Sequence, residues 1–380
     1  MKKNLKKFTS LVLASSMALA LSACGSGGAA APDTTAAAGG GGAKTEAPAD
    51  TKASGEDDQG AADGTDYTQG PSLVIKYCTA TAENQPSGHY GRSLSARLDE
   101  LTGGRIKVEC YYNSEMGSNS ELLEGLQLGT IEMTCMSAAN LGGFCESLML
   151  LDLPYLFSCG EAANEAMNGE VGREILDELE PSGFHGLGWV TGGTELWRLL
   201  TANKEIKVPS DLNGIKIRIM SNQIHESFWN ALGASPIPMA FSELYTALQN
   251  GTVDAQENPW GQIQGSKLYE CQKYIMKTEH MFDFSPVVIS KPFWDTLSAE
   301  DQALIQMVCD EIAEGERAYT DQLQFDAEKE ATDYGCQVVE LTPEEKQQWV
   351  DIGRSIYDKF ADKIGQERID KCLEISAKYE

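Results

Sequence analysis

The chain has 380 residues, of which 57 are Asp or Glu and 30 are Lys or Arg, and its formal net charge at pH 7 is −27. This negative charge argues against nucleic acid and anionic lipid as partners, because it favours neither neutralisation of their phosphates nor steering toward them. A small anionic ligand is compatible with it, since such a ligand responds mainly to the charges immediately around its site.

The first 71 residues are predicted to be a targeting segment and a linker. A lysine-rich start precedes an apolar stretch, Leu11 to Leu21, which is too short to span a bilayer comfortably. The stretch ends in Leu21-Ser22-Ala23-Cys24, which resembles a bacterial lipobox, so we expect a signal peptide at 1–23 and a lipidated Cys24. A plain signal peptide with a chance cysteine is the alternative. Residues 24–71, rich in Gly, Ala, Thr and Asp, are expected to form a flexible tether.

Alternating strand and helix patterns follow this linker. Strands are predicted at Leu73–Tyr77, Arg105–Tyr111 and Ile131–Met136, with one helix after the loop that ends at Gly88 and another at Ser120–Leu128. Such an alternation of strands and helices predicts a mainly parallel sheet with helices on both faces.

A weak internal repeat links two distant parts of the chain. The sequence ELLEGLQLGTIEM at Glu121 matches ELYTALQNGTVDA at Glu243, and each copy follows a strand, GGRIKVEC in the first and GIKIRIM in the second. Either two similar lobes or a shared helix–glycine–strand pattern would produce this match. If the lobes are similar, Ser137 and Asn140 should face Asn258 across a shared cleft.

Two extended segments and one long helix are expected to connect the lobes. Trp189–Leu200 is predicted to cross from the first lobe to the second, and FDFSPVVIS after His280 to cross back. The helical pattern of Ala299–Tyr334 would be about 50 Å long, which exceeds the width of one lobe. Two helices broken near Gly315 are the alternative. The predicted lobes are 72–195 with 284–322, and 196–283 with 323–380.

Cysteine and histidine spacing indicates neither a disulfide framework nor a metal site. Nine cysteines follow Cys24, an odd number without a CxxC pair, and we expect most of them to be reduced, buried thiols. The four histidines are isolated and show no ligand spacing with a cysteine. We therefore predict no metal and no other cofactor.

The stretch from Pro209 to Trp260 carries the strongest functional signals. Ile215, Ile217 and Ile219 alternate with polar residues in a strand pattern, which places Arg218 on the opposite face near the strand's carboxyl end. Ligands bind at that end of the strands in open α/β sheets. A second short strand, Thr252–Ala255, is predicted to deliver QENP, with Asn258, to the same edge.

These segments resemble the DctP-type solute-binding proteins of TRAP transporters. The resemblance lies in DLNGIKIR and ALGASPIPMAFSELYTALQNGTVDAQENP, and LTGGRIKVE, ELLEGLQLGTIEM and LDLPYLF follow the family's order from about Leu73 onward. It implies an α/β, two-lobed periplasmic-binding-protein-like (type II) fold with a long helix spanning both lobes. It also implies an extracytoplasmic receptor that captures an organic anion and delivers it to membrane subunits.

The resemblance also assigns roles to individual residues. Arg218 matches the family's carboxylate-binding arginine, whose planar fork of donors fits a carboxylate bidentately. Asn258 matches an asparagine that hydrogen-bonds the same ligand. Arg198 matches a second family arginine less securely, with a salt bridge at the hinge as the alternative. Phe241 could pack over the ligand's carbon skeleton or belong to the core. Four further candidates rest on position only: Glu83, Gln85, Ser137 and Asn140.

No catalytic motif accompanies these residues, so we expect a receptor and not an enzyme. Polar groups around the candidate site favour a hydroxylated acid of the uronate type, with C4-dicarboxylates as the alternative. A lipoprotein that presents its ligand to a sensor kinase is a further alternative. We expect a monomer that touches the membrane only through its lipid anchor and its transporter subunits.

Overall fold

The computed structural model describes residues 65–190 and 193–380. The predicted signal peptide, the lipid anchor at Cys24 and almost all of the linker lie outside the described residues. The strands are β1 (Leu73–Cys78), β2 (Ile106–Tyr111), β3 (Met133–Cys135), β4 (Phe184–Val190), β5 (Leu199–Ala202), β6 (Lys216–Ile219), β7 (Ser235–Pro238), β8 (Ala255–Asn258), β9 (Tyr274–Met276), β10 (Ser285–Ser290) and β11 (Gln337–Val339).

Helices flank these strands along the whole described chain. They are α1 (Pro86–Thr102), α2 (Asn119–Leu128), α3 (Gly160–Asn168), α4 (Glu170–Asp177), α5 (Gln223–Ala231), α6 (Leu244–Gln249), α7 (Trp260–Gly265), α8 (Lys291–Trp294), α9 (Ala299–Tyr334), α10 (Pro343–Arg354), α11 (Ala361–Ile364) and α12 (Gln366–Ser376). No helix in the described ranges is both long and apolar enough to cross a membrane.

The strands form two mixed sheets, each the centre of one lobe. The first has the order β2-β1-β3-β10-β4, and the second has the order β11-β9-β5-β8-β6-β7. In the first sheet the three strands of the predicted alternation, β1, β2 and β3, pair in parallel as expected. The sheet is mixed because β10 runs antiparallel to both β3 and β4. Strand β10 returns from the second lobe and has no crossover helix within its own sheet, so nothing forces it to run parallel.

Both sheets contain the same β-α-β-α-β unit. The order β2-β1-β3 in the first sheet corresponds to β7-β6-β8 in the second, with parallel pairing inside each unit. Helices α2 and α6 end alike, at Gly129 and Gly251, which both have φ +69. After each glycine a threonine, Thr130 or Thr252, donates its backbone N–H back to the helix at 2.9 Å. The predicted repeat therefore corresponds to a repeated structural unit.

One detail of the predicted repeat is wrong. The strand of GIKIRIM, β6, lies between two parallel neighbours, as β1 does, and so corresponds to β1 and not to the strand of GGRIKVEC, β2. The counterpart of β2 is β7, at the edge of the second sheet. Its sequence, SPIP, contains two prolines and lacks an apolar–polar alternation, so its strand character is hidden in the sequence.

The chain passes between the lobes where the sequence predicted. Strands β4 and β5 belong to different sheets, as do β9 and β10, which confirms both extended crossings. Helix α9 forms the third connection with the predicted bounds, and it is unbroken at Gly315. Its early residues, such as Ile305 and Val308, join the core of the first sheet, whereas Ala327 and Ala331 join a core of the second.

The carboxyl-terminal helices contact elements from both halves of the chain. Helix α10 packs against α5, while α11 contacts the 3-10 helix Glu146–Asp152 and α12 contacts α3. Residues 361–376 thus touch the region that was assigned to the first lobe. The exact lobe boundaries stay a prediction.

Candidate ligand-binding site

A cavity opens between the two sheets and is lined by residues of both lobes. Strands β1 and β3 end beside it in the first lobe, and β6 and β8 end beside it in the second, as ligand sites in open α/β sheets require. The first lobe contributes Thr79, Ala80, Thr81, Ser87, Asn119, Met136, Ser137 and Asn140, the second contributes Arg198, Arg218, Met220, Phe241, Asn258 and Gln262, and the returning segment contributes Asp283 and Ser285.

Arg218 is buried in the wall of this cavity. Its Nε and Nη2 donate to the backbone oxygen of Met239 at 3.1 and 2.8 Å, which fixes one edge of the guanidinium. The other edge, formed by Nη1 and Nη2, can present two N–H donors to a ligand. Among the described residues, no carboxylate lies within 4.0 Å of this guanidinium. Burial lowers the pKa of Arg218 to about 10, and the attraction of Glu257 offsets that effect only in part.

Arg198 is equally buried, but its guanidinium is already satisfied. Its Nε and Nη2 form a bidentate pair with the carboxylate of Glu257, at 2.5 and 3.0 Å. Its Nη1 donates to Asp283 Oδ1 at 2.8 Å, and Nη2 also reaches Asn258 Oδ1 at 3.1 Å. Burial alone would lower the pKa of Arg198, but the carboxylates of Glu257 and Asp283 outweigh it and raise the pKa.

Glu257 anchors a buried network of ionisable groups behind the cavity. Two histidines approach its carboxylate, with His280 Nε2 at 3.2 Å and His225 Nδ1 at 3.6 Å. His225 Nε2 also lies 3.2 Å from Asp152 Oδ1. Burial disfavours the charge of Glu257, yet the opposing charge of Arg198, the hydrogen bond from His280 and the nearby ring of His225 hold the pKa of that carboxyl well below its usual range.

The pKa values of the two histidines shift in opposite directions although both side chains are completely buried. Burial lowers the pKa of His280, whose ring donates from Nε2 to Glu257 and accepts at Nδ1 from Thr278 Oγ1 at 2.9 Å, as a neutral ring can. His225 experiences the same burial, but Asp152 and Glu257 together raise its pKa to about 9. His225 is therefore protonated at neutral pH.

The cavity brings together six of the eight binding residues proposed from sequence. Asn258 accepts from Arg198 and donates from Nδ2 to Gln256 Oε1 at 2.5 Å. Across the cleft, Ser137 Oγ donates to Asp283 Oδ1 at 2.7 Å, and Asn140 Nδ2 donates to Ser137 O at 3.1 Å. The ring of Phe241 lies 5.7 Å from the guanidinium carbon of Arg218 and lines the cavity.

Glu83 and Gln85 do not line the cavity. Glu83 is exposed and lies 3.6 Å from Arg92, in an ion pair whose two side chains are each 53% exposed. Gln85 is buried against the glycines of α7, where a Cβ on Gly265 would lie 2.1 Å from its Nε2. Neither amide atom of Gln85 has a hydrogen-bond partner among the described residues.

Sequence reasoning missed Asp283 and the role of Glu257. Asp283 is a single acidic residue inside the aromatic run FDF, and an acid within a buried crossing segment was a usable signal. Glu257 stands in the QENP motif beside Asn258, and β8 includes both residues, whereas the predicted strand ended at Ala255. Within the described ranges, no group of His, Cys, Asp or Glu side chains is arranged to hold a metal ion.

Two α/β lobes that enclose a polar cavity and are joined by crossing segments characterise the two-lobed solute-binding proteins, and this chain has that architecture. The model of the bacterial extracellular solute-binding protein family 7, DctP, matches residues 77–363. The chain belongs to this family, the DctP-type substrate-binding proteins of TRAP transporters.

Named relatives and solved structures agree with this assignment. The C4-dicarboxylate-binding periplasmic protein DctP of Rhodobacter capsulatus is 33% identical over 78% of this chain and 89% of its own length. The sugar acid binding protein DctPAm of Advenella mimigardefordensis, solved with galactonate, is 30% identical with a TM-score of 0.78, and the match covers 82% of this chain and all of that one. A TRAP periplasmic solute binding protein from Shewanella oneidensis with bound succinate is 29% identical with a TM-score of 0.77, over 80% of this chain and 99% of that one.

Proposed function

We propose that this protein is the extracytoplasmic receptor of a TRAP transporter and binds a carboxylate-bearing organic acid between its lobes. The observation that carries the proposal is the unpaired charge of Arg218. A buried guanidinium without a carboxylate partner is costly, and a ligand carboxylate on its free edge would supply both the charge and the bidentate geometry. The receptor would then deliver the ligand to the membrane subunits and perform no chemistry on it.

A sugar acid fits the cavity better than a C4-dicarboxylate does. Nine of the sixteen lining residues carry a hydroxyl or amide group, among them Thr81, Asn119 and Gln262, and such groups pair with ligand hydroxyls. Asn119 Oδ1 and Gln262 Oε1 are buried without a hydrogen-bond partner among the described residues, so a ligand donor would satisfy each of them. The polarity of this wall therefore supports a sugar acid over a C4-dicarboxylate, the two ligand classes found in the relatives' names.

A thermal-shift screen of organic acids tests the proposed ligand class. Hexonates and uronates should raise the melting temperature, because ligand that binds only the native state stabilises it by mass action. The control panel contains neutral sugars of the same size, which lack the carboxylate and should give no shift. A shift with neutral sugars and none with their acids would contradict the proposal.

We further propose that the receptor is a monomer attached to the membrane through a lipid on Cys24. The lipobox-like sequence and the Gly- and Ala-rich segment after it support this anchor. Metabolic lipid labelling should mark the wild-type protein and leave Cys24→Ala unlabelled. Equal labelling of the two proteins would refute the anchor.

Presentation of the ligand to a sensor kinase is the second candidate, since a two-lobed lipoprotein would suit either role. Neighbouring genes distinguish the two. Genes for TRAP membrane subunits beside this one support transport, and a sensor-kinase gene in their place would support signalling.

A further inference from the structure

Asp283 lies in the wall of the cavity. It belongs to the segment that returns from the second lobe to the first, and its backbone N–H donates to Leu196 O on the outgoing segment at 2.8 Å. The residue is 8% exposed and its side chain lines the cavity. Both crossing segments therefore hold this carboxylate in place.

The two oxygens of Asp283 differ in their surroundings. Oδ1 accepts hydrogen bonds from Ser137 Oγ at 2.7 Å and from Arg198 Nη1 at 2.8 Å. Oδ2 accepts none from the residues at 65–190 and 193–380. A carboxylate oxygen that lacks a donor in a nearly buried wall is a strong acceptor for a ligand hydroxyl.

The charges around the cavity allow one ligand carboxylate and disfavour a second. Arg198, Arg218 and Asp283 are the acidic and basic side chains in its wall. Arg198 is already paired with Glu257 and Asp283, so a carboxylate on Arg218 uses the cation that has no partner. A second ligand carboxylate would find no further cation in the wall and would experience the negative charge of Asp283 in a cleft of low dielectric constant.

We propose that Asp283 determines the ligand class, with its free oxygen accepting a ligand hydroxyl and its charge rejecting a second carboxylate. The cavity then selects monocarboxylates that carry hydroxyl groups over dicarboxylates. This inference rests on the proposed function, in which Arg218 binds the ligand carboxylate. Arg218 alone would accept both ligand classes equally, and the negative charge of Asp283 discriminates between them.

The test compares galactonate and succinate binding by calorimetry at pH 7.5, on the wild-type protein and on Asp283→Asn. The amide keeps the size of the side chain and an acceptor oxygen for Ser137 and Arg198, but it removes the charge. The wild-type protein should bind galactonate at least a hundredfold more tightly than succinate. In Asp283→Asn this preference should fall at least tenfold, because succinate gains affinity and galactonate loses its charged acceptor.

Two control variants separate this role from a structural one. Ser137→Ala removes a donor to Oδ1 but leaves the charge, so the preference for galactonate should persist even if both affinities fall. Glu83→Gln removes a carboxylate outside the cavity and should change neither affinity. An equal change of both affinities in Asp283→Asn, or a wild-type protein that binds succinate as tightly as galactonate, would overturn the inference.

Failure of the proposed function would look different. If Arg218→Ala leaves acid binding intact, the carboxylate site lies elsewhere and the proposed function falls with the inference. If Arg218→Ala abolishes binding while Asp283→Asn keeps the wild-type preference, only the role of Asp283 is refuted. A wild-type protein that binds no hydroxylated monocarboxylate also contradicts the inference.

Discussion

At the scale of single residues, the two arginines of the cavity have different surroundings. Arg198 has two carboxylates and a backbone oxygen around it, whereas Arg218 has one backbone oxygen and an aromatic ring. The contacts of Arg198 match the salt-bridge alternative at the hinge. They favour a positioning role, in which Arg198 holds Asp283 and Asn258 in the wall while Arg218 receives the ligand.

His225 makes the stability of the protein depend on pH. Asp152 and Glu257 raise its pKa to about 9 from an ordinary value of 6.5, so the charged ring stabilises the folded protein fully below pH 6.5. This contribution is lost as the pH rises from 6.5 through 9. Urea unfolding should therefore show a falling midpoint over that window for the wild-type protein. His225→Gln should lower the midpoint at pH 6.5 and flatten this dependence; an unchanged slope would contradict the assigned charge.

The alternation of Ile217 and Ile219 correctly predicted that Arg218 lies on the opposite face of their strand. It did not predict that Arg218 is buried. Ile217 and Ile219 are both fully buried, as the alternation indicated. Arg218 is only 2% exposed, because its side chain lies in the wall of the cavity beside the ring of Phe241. A single strand's pattern shows which residues share a face, and the neighbouring lobe decides what covers that face.

At the scale of secondary-structure elements, the local sequence pattern was sufficient to predict the bounds of a helix whose one face is apolar over many turns. Helix α9 has its predicted bounds because its apolar spacing continues to Gly335, where φ is +113. The direction and pairing of β10 could not be predicted, since they depend on a return crossing from residues far away in the chain. The displaced strand β8 has a similar cause: its buried residues Gln256, Glu257 and Asn258 are polar and satisfied by distant partners.

Two glycines in helices should respond oppositely to alanine. Gly315 lies inside α9, and a Cβ there meets nothing within 4 Å, so Gly315→Ala should stabilise the protein by about 0.5–1 kcal/mol through helix propensity. Gly265 receives the buried amide of Gln85, so Gly265→Ala should lower the unfolding midpoint. Urea titrations of both variants provide the measurement.

The double variant Gln85→Ala/Gly265→Ala supplies the control for this contact. It should recover part of the stability that Gly265→Ala loses, because the smaller side chain leaves room for the new methyl group. Equal effects of Gly265→Ala with and without Gln85 would show that the two residues are not coupled.

At the scale of the whole molecule, the proposed ligand site lies between two lobes, which three connections join within the part of the chain that the structure describes. The wall contains residues of both sheets and of the returning segment, so a ligand that contacts all of them stabilises the closed arrangement. Closure needs a ligand with different affinities for the open and closed states. Small-angle scattering should therefore show a smaller radius of gyration with saturating cognate acid. Arg218→Ala at the same ligand concentration should show no compaction, and an unchanged wild-type profile would contradict closure.

Calorimetric titration of Arg218→Ala with an acid that the wild-type protein binds tests the central claim most directly. A ligand carboxylate left unpaired in the cleft should cost about 2–5 kcal/mol, or roughly thirty- to several-thousand-fold in affinity. Arg218→Lys should also bind poorly, because one ammonium keeps the charge but loses the fork. Arg354 likewise donates from Nε and Nη2 to a backbone oxygen, that of Tyr155, so Arg354→Ala is the matched control and should bind normally. Affinity of folded Arg218→Ala within a few-fold of wild type would contradict the account.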